Sequence, residues 1–401
     1  MRNAGNCATP RINDSRSFQL RTDLRDIRKL LAFSLIAACC FQNLVLIDFG
    51  AFALKPYHLL GLFSFAYTIW DKKTNWAVPC RLFASGVAIV LAVSVIGYMR
   101  FGFNSVAFNY IFLVIICFTL YNLGFNFSSK DWERLLQSVA VFLMGSIFIK
   151  LLFNLDAIAL YIAEPWMGHP LFPTFFGGGV NLEASWMALF IPFFGWNPAG
   201  FAYIGSAFLL SFVYTSRAGL VLAVMGFSYV FLAKYNGKPF RVKLFVLSIG
   251  LSAVFVILVM RGNSLIERFL SIGSDPGSEG RLNMWQYALL AFEDAPLFGA
   301  GAGNATVHIN ILVPTSGILE DNVHMYPMQV LLDFGLVGFA VFAGFVISFF
   351  KQCYQDKLSS PFEAWLLFYL VASFIQFRGA EVLLGVCLAG YFLWKNARAG
   401  E

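Results

Sequence analysis

Long apolar stretches recur along the whole chain and are separated by short polar turns. An α-helix needs about 20 apolar residues to cross a hydrocarbon core of about 30 Å, and many of these stretches approach that length. Backbone groups in lipid find no water, so they must be satisfied within each span, as they are in an α-helix. The alternating pattern of a transmembrane barrel is absent from the sequence. The pattern therefore predicts an all-α, polytopic membrane protein.

The apolar pattern predicts about 12 transmembrane helices. For the two spans on either side of Asn197 and Pro198, one long or re-entrant element is the alternative, and it would break the charge agreement along the rest of the chain. The predicted spans are residues 30–48, 52–70, 82–98, 106–123, 135–154, 181–196, 199–214, 218–233, 243–260, 325–349, 361–377 and 380–394.

The positive charges indicate how these spans are oriented. The first 29 residues carry seven Lys and Arg residues, which favours a cytoplasmic amino terminus. Following twelve spans from there places 20 of the 28 Lys and Arg residues, and both termini, in the cytoplasm. The predicted organisation is a basic cytoplasmic segment (1–29), transmembrane helices one to nine (30–260), a periplasmic loop (261–324), helices ten to twelve (325–394) and a cytoplasmic tail (395–401).

Composition excludes several classes of protein. With 59% hydrophobic and 12% charged residues, the chain is not a soluble domain. The basic start is explained as a topology signal rather than a nucleic-acid patch, and no small-residue cleavage site follows the first apolar run. The seven cysteines fall in spans or predicted inner segments, with neither a disulfide framework nor metal-type spacing.

The long polar segment between residues 263 and 322 is predicted to be folded. A helix is expected from Arg281, with a capped start at Ser278 and one apolar stripe suited to the membrane surface. The glycines that alternate in 296–303 predict a tight turn rather than a phosphate loop, because no Gly-Lys-Ser/Thr follows them. The stripe consists of Leu282, Trp285, Leu289 and Phe292.

Eight basic residues remain on the predicted outer side, where an arginine is costly unless it has a partner. An anionic ligand is one such partner. For Arg217 and Arg378, snorkelling or pairing with a carboxylate such as Glu381 is the alternative. The eight residues are Lys55, Arg100, Lys150, Arg217, Arg261, Arg268, Arg281 and Arg378.

One histidine stands where the outer loop meets the next span. His324 follows Glu320 and Asp321, and histidine is a common general base near pH 7. The other three histidines, at positions 58, 169 and 308, stand in no motif and are assigned no role. The acidic residues of the outer segment form no metal-ligand pattern.

Three signals occur in order along residues 205–340. Ser216-Arg217-Ala218-Gly219 opens a span, Gly280-Arg281 leads to Pro296-Leu297-Phe298-Gly299, and His324 is followed eleven residues later by Gly335. In these signals the chain resembles the bacterial O-antigen ligase and polymerase family. That family consists of multi-span enzymes that transfer a glycan from undecaprenyl diphosphate on the outer face of the inner membrane. It usually has Asn after this histidine and Glu two residues before this glycine, where the chain has Met325 and Asp333.

The resemblance implies a glycosyltransferase of the bacterial inner membrane with a periplasmic active site and no metal or other cofactor. His324 is the implied base, and Arg217 and Arg281 are the implied clamp for the donor diphosphate. Arg378 and Arg261 are second-tier candidates for the same cluster. Implied partners are an undecaprenyl-diphosphate-linked glycan donor, the bilayer and, as a candidate, a chain-length regulator, but no nucleic acid.

The acceptor distinguishes two functions within the family. Polymerisation of repeat units into O-antigen or exopolysaccharide uses a second lipid-linked glycan and is the preferred interpretation; an O-antigen ligase uses lipid A core instead. A polysaccharide transporter or flippase is the alternative from another class, since twelve spans with both ends inside are common among carriers. The halves of the chain show no repeat, and acidic residues in the middle of spans are scarce, which disfavours a carrier.

Overall fold

The computed structural model describes residues 15–50, 53–71, 81–163, 173–176, 179–234, 276–318, 320–374 and 381–399. These ranges are predominantly helical, with one short antiparallel ladder between β1 (Ile47–Asp48) and β2 (Ala53–Leu54). The α-helices in the described ranges are α1 (Ser15–Cys40), α2 (Pro56–Trp70), α3 (Arg81–Phe101), α4 (Ala107–Gly124), α5 (Ser129–Leu152), α6 (Leu155–Ala163), α7 (Val180–Leu189), α8 (Pro198–Val213), α9 (Arg217–Lys234), α10 (Pro276–Asp294), α11 (Ala305–Leu312), α12 (Tyr326–Gln355), α13 (Pro361–Ser373) and α14 (Val382–Ala399).

The predicted helical architecture is confirmed within the described ranges. Eleven of the twelve predicted spans overlap a helix, and the twelfth, 243–260, lies outside the described residues. Four described helices, α3, α4, α5 and α12, are long and apolar enough to cross a membrane, and α7, α8, α9 and α13 are shorter apolar helices. Several large side chains on these helices are almost fully exposed, including Met99 at 85% and Tyr354 at 87%. Such outward apolar surface suits contact with lipid.

The first predicted span, 30–48, extends beyond the end of its helix. Helix α1 begins at Ser15 and ends at Cys40, after which the chain turns. The side chain of Asn43 donates to Thr174 Oγ1 at 2.9 Å, and its backbone N–H donates to the Phe175 carbonyl at 3.1 Å. Asn43 therefore donates hydrogen bonds to a distant segment, which favours the end of the helix before it.

The two spans near Asn197 are separate helices. Helix α7 ends at Leu189 and is followed by a 3₁₀ turn, Ile191–Phe193. Asn197 then caps α8, since its side-chain oxygen accepts a hydrogen bond from the Gly200 N–H at 2.8 Å, and Pro198 occupies the first helical position. The cap explains why the chain begins a new helix here.

Small residues allow the helices of the core to approach closely. A Cβ atom on Gly385 of α14 would lie 2.5 Å from the Leu113 carbonyl oxygen of α4. A Cβ atom on Gly219 of α9 would lie 2.7 Å from the Ala184 Cβ of α7. Glycine at such contacts is typical of helices that associate in membranes, where apolar burial alone gives little preference between lipid and protein.

Ion pairs join segments that the charge pattern places on the same side of the membrane. Arg100 and Asp294, both predicted to be on the outer side, are 2.8 Å apart. Three pairs join segments predicted to be cytoplasmic: Arg28 with Asp71, Lys29 with Asp131, and Arg398 with Asp356.

Helix α12 is interrupted at Gly335, where φ is 60° and ψ is −163°. The glycine-rich turn, residues 296–303, docks into this break. Ala300 N–H donates to the Leu332 carbonyl at 2.9 Å, and Leu336 N–H donates to the Pro296 carbonyl at 2.8 Å. The predicted tight turn is therefore present, and its Ala300 and Gly301 N–H groups donate to helix carbonyls rather than to a phosphate. The predicted span 325–349 gave no sign of the break, because a glycine within an apolar run is usually tolerated in a helix.

Candidate active site

Helix α10 carries Arg281, which is half-buried. It begins at Pro276, five residues earlier than expected, with proline in the first turn, where the missing N–H costs nothing. Arg281 and Trp285 are four residues apart and so lie on one face of the helix. The indole N–H of Trp285 donates to the Val323 carbonyl at 2.9 Å, which holds this face against the segment that carries His324.

The predicted apolar stripe of α10 is divided between two environments. Leu282 and Leu289 are 45% and 51% exposed, as expected for a surface that faces lipid. Trp285 and Phe292 are partly buried against the protein. A helix that packs on one side and is apolar on the other is consistent with a position at the membrane boundary.

His324 is held by a short segment with little freedom. Its backbone N–H donates to Asn322 Oδ1 at 2.9 Å, and the neighbouring Val323 N–H donates to Gln329 Oε1 at 3.0 Å. His324 itself has a φ of 54°, which is uncommon for a residue other than glycine. Asn322 and Val323 are buried. The imidazole therefore projects from a backbone fixed by both α10 and α12.

Arg281 and His324 line the same cavity, which we call the main cavity. Its volume is about 460 Å³, within the usual range for small-molecule sites. The site thus combines a permanent cation, a candidate base, one acidic side chain and several neutral polar groups. The lining residues are Gly280, Arg281, Asn283, Met284, Tyr287, Ser316, Gly317, Ile318, Glu320 and His324.

A buried carboxylate supports this site from behind. Asp333 is fully buried, and its Oδ2 accepts hydrogen bonds from Tyr110 Oη at 2.7 Å and Gln329 Nε2 at 3.0 Å. Its Oδ1 accepts from the Ala305 N–H at 2.9 Å. Gln329 thereby connects Asp333 to Val323 and the backbone next to His324. Sequence reasoning missed this role, although an acid and an amide four residues apart in an apolar helix are a signal for such a network.

The comparison with known protein families concerns the same part of the chain. Residues 199–343 match the model of a family described as O-antigen ligase. We call this stretch the O-antigen ligase domain, after the family model that it matches. The resemblance predicted for 205–340 is therefore confirmed over this stretch, which makes up about a third of the chain, and enzymes of that family transfer lipid-linked glycans. No curated protein matches the chain significantly.

Four of the five predicted site residues lie within the O-antigen ligase domain. Arg281 and His324 are brought together in the main cavity. Arg217 opens α9 and is partly buried, but it is not among the residues that line this cavity. Arg261 is inside the matched range and Arg378 beyond it, and both fall outside the described residues.

The start of α9 is set by the two residues before Arg217. Thr215 has a φ of 48°, which turns the chain, and Ser216 is fully buried. The Ser216 hydroxyl accepts a hydrogen bond from the Gly219 N–H at 3.1 Å, as an N-cap does. Arg217 is therefore fixed at the first position of its helix.

Lys150, one of the eight outer basic residues, has a partner within the protein. Its ammonium donates to Glu183 Oε2, and Tyr214 Oη donates to the same oxygen at 2.7 Å. The Phe175 N–H donates to the other carboxylate oxygen. Both charges are buried, so each depends on the other. The cost of a basic residue at this depth is thus offset by Glu183.

Arg100 is likewise engaged, in a cluster with Asp294 and His308. Arg100 Nη2 lies 2.9 and 2.8 Å from the two Asp294 carboxylate oxygens, and His308 Nε2 is 2.8 Å from Asp294 Oδ2. The hydrogen bond with His308 holds the pKa of Asp294 below its usual range, and burial lowers the pKa of His308. The cluster ties α3 to α10 and α11, a role that the isolated His308 did not indicate in the sequence.

The described part of the chain offers no clustered set of metal ligands. Within it, no three or more His, Cys, Asp and Glu side chains come together as a possible metal site.

Proposed function

We propose that the protein polymerises undecaprenyl-diphosphate-linked oligosaccharide repeat units into a surface polysaccharide, either O-antigen or exopolysaccharide, and that transfer occurs in the main cavity. The observation that carries this proposal is that Arg281 and His324, which are distant in sequence, line one cavity inside an O-antigen ligase domain. A cation and a base are the two groups that transfer from a lipid diphosphate requires.

Arg281 binds the diphosphate of the donor. A guanidinium stays charged at any physiological pH and can donate two parallel hydrogen bonds to a phosphate. As the glycosidic bond breaks, negative charge grows on the leaving diphosphate, and a fixed cation stabilises it more strongly than it stabilises the bound donor. Arg217 joins this clamp in the proposal, supported by its place in the family motif, with Arg378 and Arg261 as second-tier members.

His324 acts as the general base. Its imidazole nitrogen takes the proton from an acceptor sugar hydroxyl, and the hydroxyl oxygen forms a bond to the anomeric carbon of the donor. The bond between that carbon and the diphosphate oxygen breaks, and its electron pair leaves with undecaprenyl diphosphate. The imidazolium then releases its proton to water. The diphosphate is a good leaving group without protonation, so the scheme uses no second acid and no metal.

The main cavity faces the periplasm in this proposal. Support comes from the ion pairs, since Arg100 and Asp294 join at the end of the molecule that carries α10, while residues predicted to be cytoplasmic pair with one another. Lipid-linked donors would then enter from the outer leaflet, past the exposed leucines of α10.

Transfer in a reconstituted system tests this function. The full-length protein in nanodiscs would receive the undecaprenyl-diphosphate oligosaccharide alone, without ATP or an ion gradient. A ladder of longer lipid-linked glycans is the expected product. Transfer only after lipid A core is added would identify the ligase instead. No transfer in either case, with a donor shown to be competent with another enzyme, would contradict the proposal and favour the transporter or flippase.

A further inference from the structure

A second cavity lies beside the main one, on the other side of residues 320–324. Along this segment, Glu320 and His324 line the main cavity, whereas Asp321 and Asn322 line the second. The second cavity forms where the end of α1 and the starts of α2, α4 and α14 converge. We call it the polar cavity, and its characteristic side chains are Gln42, Asn43, Lys55, Asn109, Asp321 and Glu381.

We propose that the polar cavity binds a sugar of the acceptor glycan. The inference rests on the proposed function, because it assigns a subsite to the acceptor of that reaction. The polar cavity measures about 60 Å³, enough for roughly four to six water-sized groups. That is the size of one edge of a pyranose with its hydroxyls, and it is too small for the whole of a lipid-linked donor.

The chemistry of the lining fits hydroxyl groups. Apart from Val106, each residue that lines the polar cavity carries a polar side chain. Amides present a donor and an acceptor together, and a sugar hydroxyl needs both. Lys55 contributes the one basic group of the lining, alongside two acidic side chains, Asp321 and Glu381. This balance disfavours an anionic diphosphate, so the polar cavity differs in ligand class from the site that holds Arg281.

Much of the hydrogen-bonding capacity of the lining is already used within the protein, since Tyr110 and Gln329 donate to Asp333 and Glu381 accepts from Tyr369. Tyr57 Oη donates to Asn109 Oδ1 at 3.1 Å, and Asn322 Nδ2 donates to Asp321 Oδ1 at 2.7 Å. The side-chain nitrogen of Gln42, by contrast, is shielded from solvent and has no hydrogen-bond partner among the described residues. A buried donor without an acceptor is unfavourable, so this atom indicates a group that enters the cavity from outside.

The polar cavity is also connected to the base. Asn322, which lines it, accepts a hydrogen bond from the His324 backbone N–H. Asn43, at its other side, is exposed, which leaves an opening toward solvent. A sugar held here would therefore place the acceptor chain next to the backbone that carries His324, and the neighbouring sugar would reach the main cavity.

The test combines direct binding with transfer kinetics. The probe is the repeat-unit oligosaccharide released from its lipid carrier, and its binding to full-length protein in nanodiscs is followed by saturation-transfer NMR.

Two variants change the lining of the polar cavity. Gln42→Leu removes the side-chain nitrogen that has no hydrogen-bond partner, and Asp321→Asn removes a charge but keeps an acceptor for Asn322. Loss of one or two neutral hydrogen bonds predicts affinity about threefold to tenfold weaker, and an acceptor KM raised by the same factor at unchanged kcat. Gln352→Leu, at the opposite end of α12, is the control and should change neither.

The outcomes separate the subsite from the function. If both variants bind the probe as the wild type does, the subsite is wrong while the proposed function stands. The same holds if the wild type transfers glycan and neither variant changes the acceptor KM. If the wild type transfers nothing but binds the probe, and both variants bind it more weakly, the proposed function is wrong and the sugar site is retained. A more stable Gln42→Leu protein with unaltered binding would identify a purely structural cavity and contradict the inference.

Discussion

At the scale of single residues, the position of His324 depends on Gln329, whose side chain accepts a hydrogen bond from Val323 and donates one to the buried Asp333. Arg281 and His324 were identifiable because each belongs to a motif with a defined order. Gln329 and Asp333, which fix the backbone beside His324, were not assigned this role, because their partners lie on α4, α11 and the turn before α12. A hydrogen bond between distant segments leaves no local pattern in the chain.

The pKa of His308 predicts how stability depends on pH. Burial lowers this pKa, so the folded protein holds His308 neutral, whereas in the unfolded chain it is protonated below about pH 6.5. The stabilisation is therefore fully present above that pH and is lost as the pH falls. The unfolding temperature in detergent should decrease between pH 7 and pH 5.

His308→Gln provides the control for this pH dependence. A glutamine amide can still donate to Asp294, but it does not titrate, so the difference in unfolding temperature between the two proteins should change over this range. The lowered pKa of Asp294 acts in the same direction at more acidic pH, since its stabilisation is present above about pH 4 and is lost below. Parallel curves for wild type and variant would show that His308 does not contribute.

At the scale of elements, the apolar pattern located most helices but not the features that shape the site. The break in α12 and the docking of residues 296–303 into it depend on tertiary hydrogen bonds. The end of α1 at Cys40 likewise depends on contacts of Asn43 with Thr174. Apolar periodicity reports which residues avoid water, and it is silent about backbone pairing between two segments.

Gly335→Ala tests the importance of the break. A Cβ atom there would lie 2.3 Å from the backbone of Leu297, in a conformation that side chains rarely adopt. We expect a loss of at least about 2 kcal/mol in the free energy of unfolding, measured in detergent, together with reduced transfer. Gly344→Ala is the matched control in the same helix, because its Cβ atom would meet nothing within 4 Å. That variant should be neutral or more stable by up to about 1 kcal/mol; similar losses in both would argue against a specific role for the break.

At the scale of the whole molecule, the orientation in the membrane remains a prediction from charge. Single cysteines in a cysteine-free background test it. Glu320→Cys lies at the main cavity, and Ser359→Cys lies in the turn between α12 and α13; both positions are exposed. An impermeant maleimide should label the first in intact cells and the second only after the inner membrane is opened. The reverse pattern would place the main cavity in the cytoplasm.

Transfer kinetics of His324→Ala and Arg281→Ala test the central claim most directly. Rates per folded protein would be measured with a lipid-linked donor and acceptor, with His308→Gln and Arg100→Gln as matched controls outside the main cavity. Loss of a general base or of a cation on the leaving group predicts a decrease of at least about 100-fold for each of the first two. The controls should retain rates close to that of the wild type. Normal transfer by folded His324→Ala would show that the base lies elsewhere and would contradict the account.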